Sequence, residues 1–307
     1  MNYPAEITIR EDGPREGFQS LEHSVAITDK LKLIEMLVAG GARSIETTAF
    51  VRPDRVPQHA DAEELAQALP QVEGVRYRGL FLNERGFKRA IACKTLKPEG
   101  YLMIASSESF LKLNNNLAIS EAIENIPTWT KLFTEYSVPL ERLMVSCAFG
   151  DKREGRISTE TTIATVKRVI DKLSALKIKL PEITYADTTG YGNPESIKSL
   201  VQESQNLWPE TSIGLHLHDT RGTGMANALA GLQAGVKLFD ASVGGLGGCP
   251  FVKGAAGNIP TEDLAFLCAE LGIKTSIDLP VYAEAALFAE KLAGKPLPGK
   301  FKVGGLL

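Results

Sequence analysis

Short apolar runs recur along the chain at an even pace, and stretches with helical spacing lie between them. Eight runs are rich in β-branched or aliphatic residues. They are EITIR (6–10), RSIETTAF (43–50), RYRGLFLN (76–83), YLMIASS (101–107), RLMVSCAFG (142–150), EITYADT (182–188), SIGLHLHD (212–219) and KLFDASVGG (237–245). Each has the length of a strand. Segments such as TDKLKLIEMLVAGG (28–41), ISEAIENIPTWTKLFTEY (119–136) and TTIATVKRVIDKLSALKI (161–178) instead place apolar residues three or four apart, which predicts helices. Gly40-Gly41 suits a helix exit, and Asn193-Pro194 an N-cap followed by a first-turn proline. Eight strands alternating with helices over roughly 250 residues is the pattern of a (β/α)8 TIM barrel. The rival is a doubly wound open sheet, which usually has fewer strands. Its phosphate-binding turn, G-x-G-x-x-G, is absent after EITIR. We expect one domain over 1–307, with the barrel at about 5–275 and a C-terminal helix and Pro/Gly-rich tail at about 276–307.

Composition narrows the partners. A net charge of -3 with no basic cluster gives no electrostatic case for nucleic acid. No segment approaches the ~18 consecutive apolar residues of a membrane helix. The first thirty residues lack a leader pattern. Cys93, Cys147, Cys249 and Cys268 are scattered without C-x-x-C spacing, which argues against a zinc knuckle or a disulfide framework. The chain is read as cytoplasmic, with reduced thiols and no membrane partner.

In a barrel, chemistry gathers at the C-terminal ends of the strands. Two of only four histidines stand there, in GLHLHD at the end of the seventh run. Strand alternation puts His216 and His218 on one face, about 7 Å apart, where both can reach one metal ion. A pair of core histidines bonded to backbone groups is the plainer alternative. Strand 1 ends in REDGPREGFQS, with Arg15 and Glu16 in a turn forced by Gly13-Pro14 and Gly17. Glu46 lies inside the apolar run SIETTAF and needs a partner if desolvated; Arg15 is a candidate, and the plainer alternative is a strand glutamate that faces the outer helices and is paired there. The segment SVGGLGGCPFVKGAAGN (242–258) holds six glycines, Cys249 and Asn258. A glycine-dense loop can swing, or bring backbone N–H groups close to a ligand. Cys249 could then act as acid, base or nucleophile. Asp187 ends strand 6, and SESFLKLNNN follows strand 4.

Together these segments resemble the 3-hydroxy-3-methylglutaryl-CoA (HMG-CoA) lyase branch of the DRE-TIM metallolyases. The resemblance covers nearly the whole chain, and its most specific carriers are HLHDTRGTGMANALAGLQAG and GGLGGCPFVKGAAGNIPTEDL. It implies a TIM barrel holding one divalent cation, Mg²⁺ or Mn²⁺, with Glu16, His216, His218 and Asn258 as ligands. An N/O ligand set with room for water suits a hard, octahedral ion. Arg15 matches the catalytic arginine, Glu46 its supporting glutamate, Cys249 the loop cysteine, and Asp187 an aspartate that orders the site. Ser107, Lys112 and Asn114 are the candidates for contact with the CoA portion. The resemblance also implies a homodimer or higher homo-oligomer.

The implied reaction is retro-Claisen cleavage of an acyl-CoA thioester to acetyl-CoA and a keto acid, acetoacetate from HMG-CoA. His216 or a shell carboxylate would take the hydroxyl proton, Arg15 would stabilise the enolate oxygen, and Cys249 would protonate the carbon. Two departures stand out. Family turns usually read GPRDG, and Glu16 is one methylene longer. The stretch QSLEH lacks the lysine often found after that turn. Glu16 therefore points also to a lyase for a differently substituted hydroxyacyl-CoA. A Claisen-condensing acyltransferase of the superfamily or an aldolase is the further alternative, against which the GGCP loop speaks. A catalytically inert barrel is disfavoured by the complete residue set.

Overall fold

The computed structural model describes residues 3–248 and 256–305. Eight strands form one sheet: β1 (Thr8–Glu11), β2 (Ser44–Ala49), β3 (Arg76–Leu80), β4 (Gly100–Ala105), β5 (Leu140–Ser146), β6 (Glu182–Asp187), β7 (Ser212–Leu217) and β8 (Leu238–Ala241). Their order is β3-β2-β1-β8-β7-β6-β5-β4. The ladders joining β1 to β3 and β4 to β7 are parallel. All eight expected strands are present, with ends shifted by a few residues. The run at 237–245 stops as a strand at Ala241, because Gly244 and Gly245 take φ values of 66° and 70° in the turn Val243–Gly245. The single helix expected over 119–136 is two, Ile119–Glu124 and Ile126–Glu135. Pro127 has no N–H to continue the first helix and suits the opening turn of the second.

The chain divides into two compact units, residues 1–4 with 99–239 and residues 5–98 with 240–307. In the first, β5, β6 and β7 are buried through Leu143, Val145, Ile183, Tyr185, Leu215 and Leu217. This is the near-continuous apolar character of parallel strands covered on both faces. The helix Thr159–Ala175 starts at Ser158, whose hydroxyl accepts from the Thr161 amide, and buries Thr162, Ile163, Val166, Val169 and Leu173. That spacing is the stripe read from the sequence. The helix Pro194–Leu207 is capped by Asn193, which accepts from the Glu195 and Ser196 amides.

In the second unit the helix Ile27–Ala39 ends through Gly40 and Gly41, and the Ala42 amide reaches back to the Leu37 carbonyl. Gly41 needs its φ of 93°, and a Cβ there would stand 1.8 Å from the Ser276 carbonyl oxygen. The C-terminal helix Leu279–Ala293 packs on Ile27–Ala39 and on the turn Val243–Gly245. Among the described residues, no helix is long and apolar enough to cross a membrane.

Candidate active site

The residues singled out at the strand ends fall into two sets, one in each unit. In the unit formed by 5–98 and 240–307, the GPREG segment makes a tight turn, Gly13–Gly17, directly after β1. Its backbone points the Arg15 guanidinium at two carboxylates. Arg15 Nε donates to Glu46 Oε2, and Nη2 lies 2.8 Å from Glu16 Oε1. Burial disfavours the charge on Arg15, but Glu16, Glu46 and Asp12 more than offset it and hold the guanidinium firmly protonated. Glu46 stands on β2 opposite Arg78 of β3 and is 3% exposed.

Asn258 joins this set. Its Nδ2 donates to Glu16 Oε2 at 2.6 Å and to Ser242 Oγ at 2.6 Å. Its Oδ1 is buried and has no hydrogen-bond partner among the described residues. Cys249 lies outside the described residues.

In the unit formed by 1–4 and 99–239, the two histidines at the end of β7 turn toward one another. The register pairs His216 with Ala186 of β6. The rings are 5.2 Å apart, and the two Nε2 atoms are 3.1 Å apart. This is closer than the strand spacing alone predicts, because both rings lean inward. Asp187 is fully buried at the end of β6. Burial pushes its carboxyl up to about 6, while the Gly192 and Tyr191 amides, at 3.0 and 2.8 Å, pull it back. It fixes the turn after β6. Arg221 Nη1, donating to the carbonyls of Thr189 and Gly190, ties that turn to the one after β7.

The segment after β4 is divided in role. Ser107 is fully buried. Its hydroxyl caps the helix Glu108–Asn115 by accepting from Phe110 N, and lies 3.0 Å from both Asp151 Oδ2 and Glu154 Oε1. Lys112 and Asn114 are exposed on that helix.

Several polar groups beside these residues were not anticipated. Arg78 pairs with Asp12 at 2.8 Å, and Arg10 with Asp240 at 2.6 Å, all four side chains buried. Glu11 is buried among four donors. His59 is buried against Arg15. Charges inside otherwise apolar runs (Arg10 in EITIR, Arg78 in RYRGLFLN, Asp240 in KLFDASVGG) carried the signal, since a desolvated charge demands a partner. His59, in VRPDRVPQHAD, carried none.

Parallel strands whose C-terminal ends bear the reactive side chains define a (β/α)8-barrel enzyme. Comparison with known proteins makes the class specific. The chain belongs to the HMGL-like family, whose model matches residues 6–288. It is 38% identical to the mitochondrial hydroxymethylglutaryl-CoA lyase of Bos taurus over 93% of this chain and 85% of the relative. The solved HMG-CoA lyase of Bacillus subtilis superposes with a TM-score of 0.89 at 33% identity, covering 98% of both chains. An HMG-CoA lyase of Acinetobacter baumannii, solved with coenzyme A and 3-methylmalate, matches at 31% identity with a TM-score of 0.88, over 99% of this chain and 97% of that one. The fold is a TIM barrel, and the chain is an enzyme of the lyase class.

Proposed function

We propose that the chain is a divalent-cation-dependent carbon–carbon lyase that cleaves HMG-CoA, or a close 3-hydroxyacyl-CoA relative, to acetyl-CoA and a keto acid. The observation that carries this reading is the Arg15 guanidinium held between Glu46 and Glu16 at the end of β1. The relatives named as HMG-CoA lyases, one of them solved with coenzyme A, support the substrate class.

The family implies a divalent cation, and the residues fit one. Asn258 presents a buried, unpartnered Oδ1 beside the Glu16 carboxylate. The two facing Nε2 atoms of His216 and His218 suit adjacent positions on one ion. Glu16, Asn258, His216 and His218 are the proposed ligands, and a mixed N/O set with room for water suits Mg²⁺ or Mn²⁺ better than zinc in a closed tetrahedral site. When bound, such an ion supplies Lewis-acid polarisation and lowers the pKa of a bound hydroxyl.

The chain's own residues supply the rest. Arg15, locked by Glu46, offers a fixed positive charge for the enolate oxygen. His216 or a neighbouring carboxylate takes the hydroxyl proton. Asp187 holds the β6 turn in place. Cys249 is the acid that the resemblance implies for the enolate carbon. Lys112 and Asn114, exposed on their helix, are the proposed contacts to the CoA portion, and the buried Ser107 shapes that helix's start. The buried cysteines Cys93, Cys147 and Cys268 form no disulfide among the described residues, in keeping with the reducing, cytoplasmic setting proposed here, and assembly as a homodimer is proposed with it.

The test is direct incubation with HMG-CoA and Mg²⁺ or Mn²⁺, following acetyl-CoA and acetoacetate by mass spectrometry. Metal-dependent product that is lost in Cys249→Ala supports the reading. No product, with Mn²⁺ still bound, overturns HMG-CoA as the substrate and favours a relative with another group on C3, the reading that Glu16 motivates.

A further inference from the structure

We infer that His59 is a positioning residue for Arg15, gripping its backbone while Glu46 grips its guanidinium. The inference rests on the lyase reading only for the meaning of Arg15, and its geometry stands apart from it. His59 is 1% exposed and closes the short turn Pro57–His59. Its Nε2 lies 2.9 Å from the Arg15 carbonyl oxygen. A carbonyl can only accept, so Nε2 carries the proton and Nδ1 carries the lone pair. Nδ1 faces the Thr48 hydroxyl at 3.4 Å, which supplies the matching donor.

Thr48 and Glu46 are both on β2. Arg15 is thus referenced to one strand twice, through its side chain by Glu46 and through its carbonyl by His59 and Thr48. The second hold adds to the turn's own hydrogen bonds, in which the Arg15 and Glu16 amides donate to the Asp12 carbonyl and leave the Arg15 carbonyl available to His59. The only other contact on that carbonyl among the hydrogen bonds described is the Phe18 amide within the turn.

His59 is itself fixed. The ammonium of Lys30, buried at 0% exposure, donates to the Gln58 carbonyl at 2.7 Å and sits 2.8 Å from both Asp61 oxygens. Gln58 Nε2 donates to the Leu21 carbonyl at 2.6 Å. The turn is therefore clamped to the helix Ile27–Ala39 and to the segment following Arg15. Burial pulls the imidazole down to about 4; the Arg15 carbonyl and Asp61 oppose this, and the cations of Lys30 and Arg15 add to it. The ring is neutral at working pH, so it donates one proton and adds no charge beside the guanidinium.

Three variants separate the donor from the ring. His59→Gln keeps a side-chain donor, His59→Phe keeps the ring volume without one, and His59→Ala keeps neither. A displacement of ~1 Å at a catalytic group costs on the order of 100-fold in rate, so kcat should fall ~10- to 100-fold in Phe and Ala. KM and Mn²⁺ affinity should stay within a few-fold of native, and Gln should recover most of kcat. Phe equal to native would overturn the inference, as would Gln no better than Ala. Native turnover of HMG-CoA is the reference; if the native enzyme turns over another hydroxyacyl-CoA instead, the same ratios are read on that substrate. A measurement free of substrate and of variant folding completes the test. Nitrogen-15 NMR of the native histidines should show His59 as the Nε2–H tautomer, unchanged from pH 5.5 to 8.5, and an Nδ1–H tautomer would equally overturn it.

Discussion

Glu11 Oε1 accepts from the Val243 amide at 2.9 Å, so the last residue of β1 fixes the first turn beyond β8. The same oxygen accepts from the Gly13 amide at 2.8 Å, at the start of the turn that carries Arg15 and Glu16. Oε2 takes the hydroxyls of Thr261 at 2.7 Å and Tyr282 at 3.0 Å. One buried carboxylate thereby sets two strand ends that bear site residues.

Glu11→Gln should be tolerated, because an amide oxygen can accept the two backbone N–H groups while its NH₂ donates to the two hydroxyls. Glu11→Leu leaves those donors buried and unpaired, at about 1–3 kcal/mol each. Urea unfolding should show a loss of at least ~3 kcal/mol for Leu and a small one for Gln. Equal losses would mean that the charge, and not the hydrogen bonding, is what the site needs.

Glu262 yields a prediction in pH. Burial pushes its carboxyl up to about 8 from 4.5, against the Gly244 amide that accompanies it at 2.9 Å. A raised carboxyl favours the folded state fully below pH 4.5, and that contribution disappears as pH climbs through 8. Glu11, pushed by burial up to about 7, acts in the same sense. The Tm of the native protein should therefore drop more steeply between pH 5 and 8.5 than that of Glu262→Gln. Parallel Tm curves in differential scanning fluorimetry would refute this origin.

Arg15→Lys retains the charge but loses the planar fork that reaches Glu46 and Glu16 together. Single-turnover rates should fall about 100- to 1,000-fold, the scale of losing one preorganised donor to a developing oxyanion. Tm should change little. A rate within tenfold of native would show that charge alone suffices.

For the proposed ligands the readout is the ion itself. His216→Ala, His218→Ala and Asn258→Ala should each weaken Mn²⁺ binding at least ~10-fold in calorimetric titration, the lower bound seen even for residues one bond removed from a metal. Unchanged affinity in all three would place the ion elsewhere.

Much of this was legible in the sequence because it is periodic or costly. Eight apolar runs gave eight strands, and the charge of Glu46 in an apolar strand demanded the partner that Arg15 provides. The paired histidines were legible as neighbours, though their inward lean was not, since strand spacing says nothing of χ angles. His59 and the four donors around Glu11 were not legible. They join residues such as Glu11 and Tyr282 that are 271 positions apart, and no local pattern encodes such a meeting. Helix breaks were missed where a proline sat inside an otherwise regular stripe, as at Pro127.

The division of the chain has a consequence for synthesis. The unit that contains Arg15, Glu46 and Asn258 is assembled from 5–98 and 240–307. On the ribosome, at about 5–20 residues per second, its opening portion emerges roughly 7–30 s before the closing portion exists. During that interval the contacts of Arg15 with Glu46 and His59 can form, while Thr261, Val243 and Tyr282 have not yet been made. Glu11 then has only the Gly13 amide among its four donors. The surroundings of that carboxylate are therefore completed only when the helix Leu279–Ala293, which carries Tyr282, has been made.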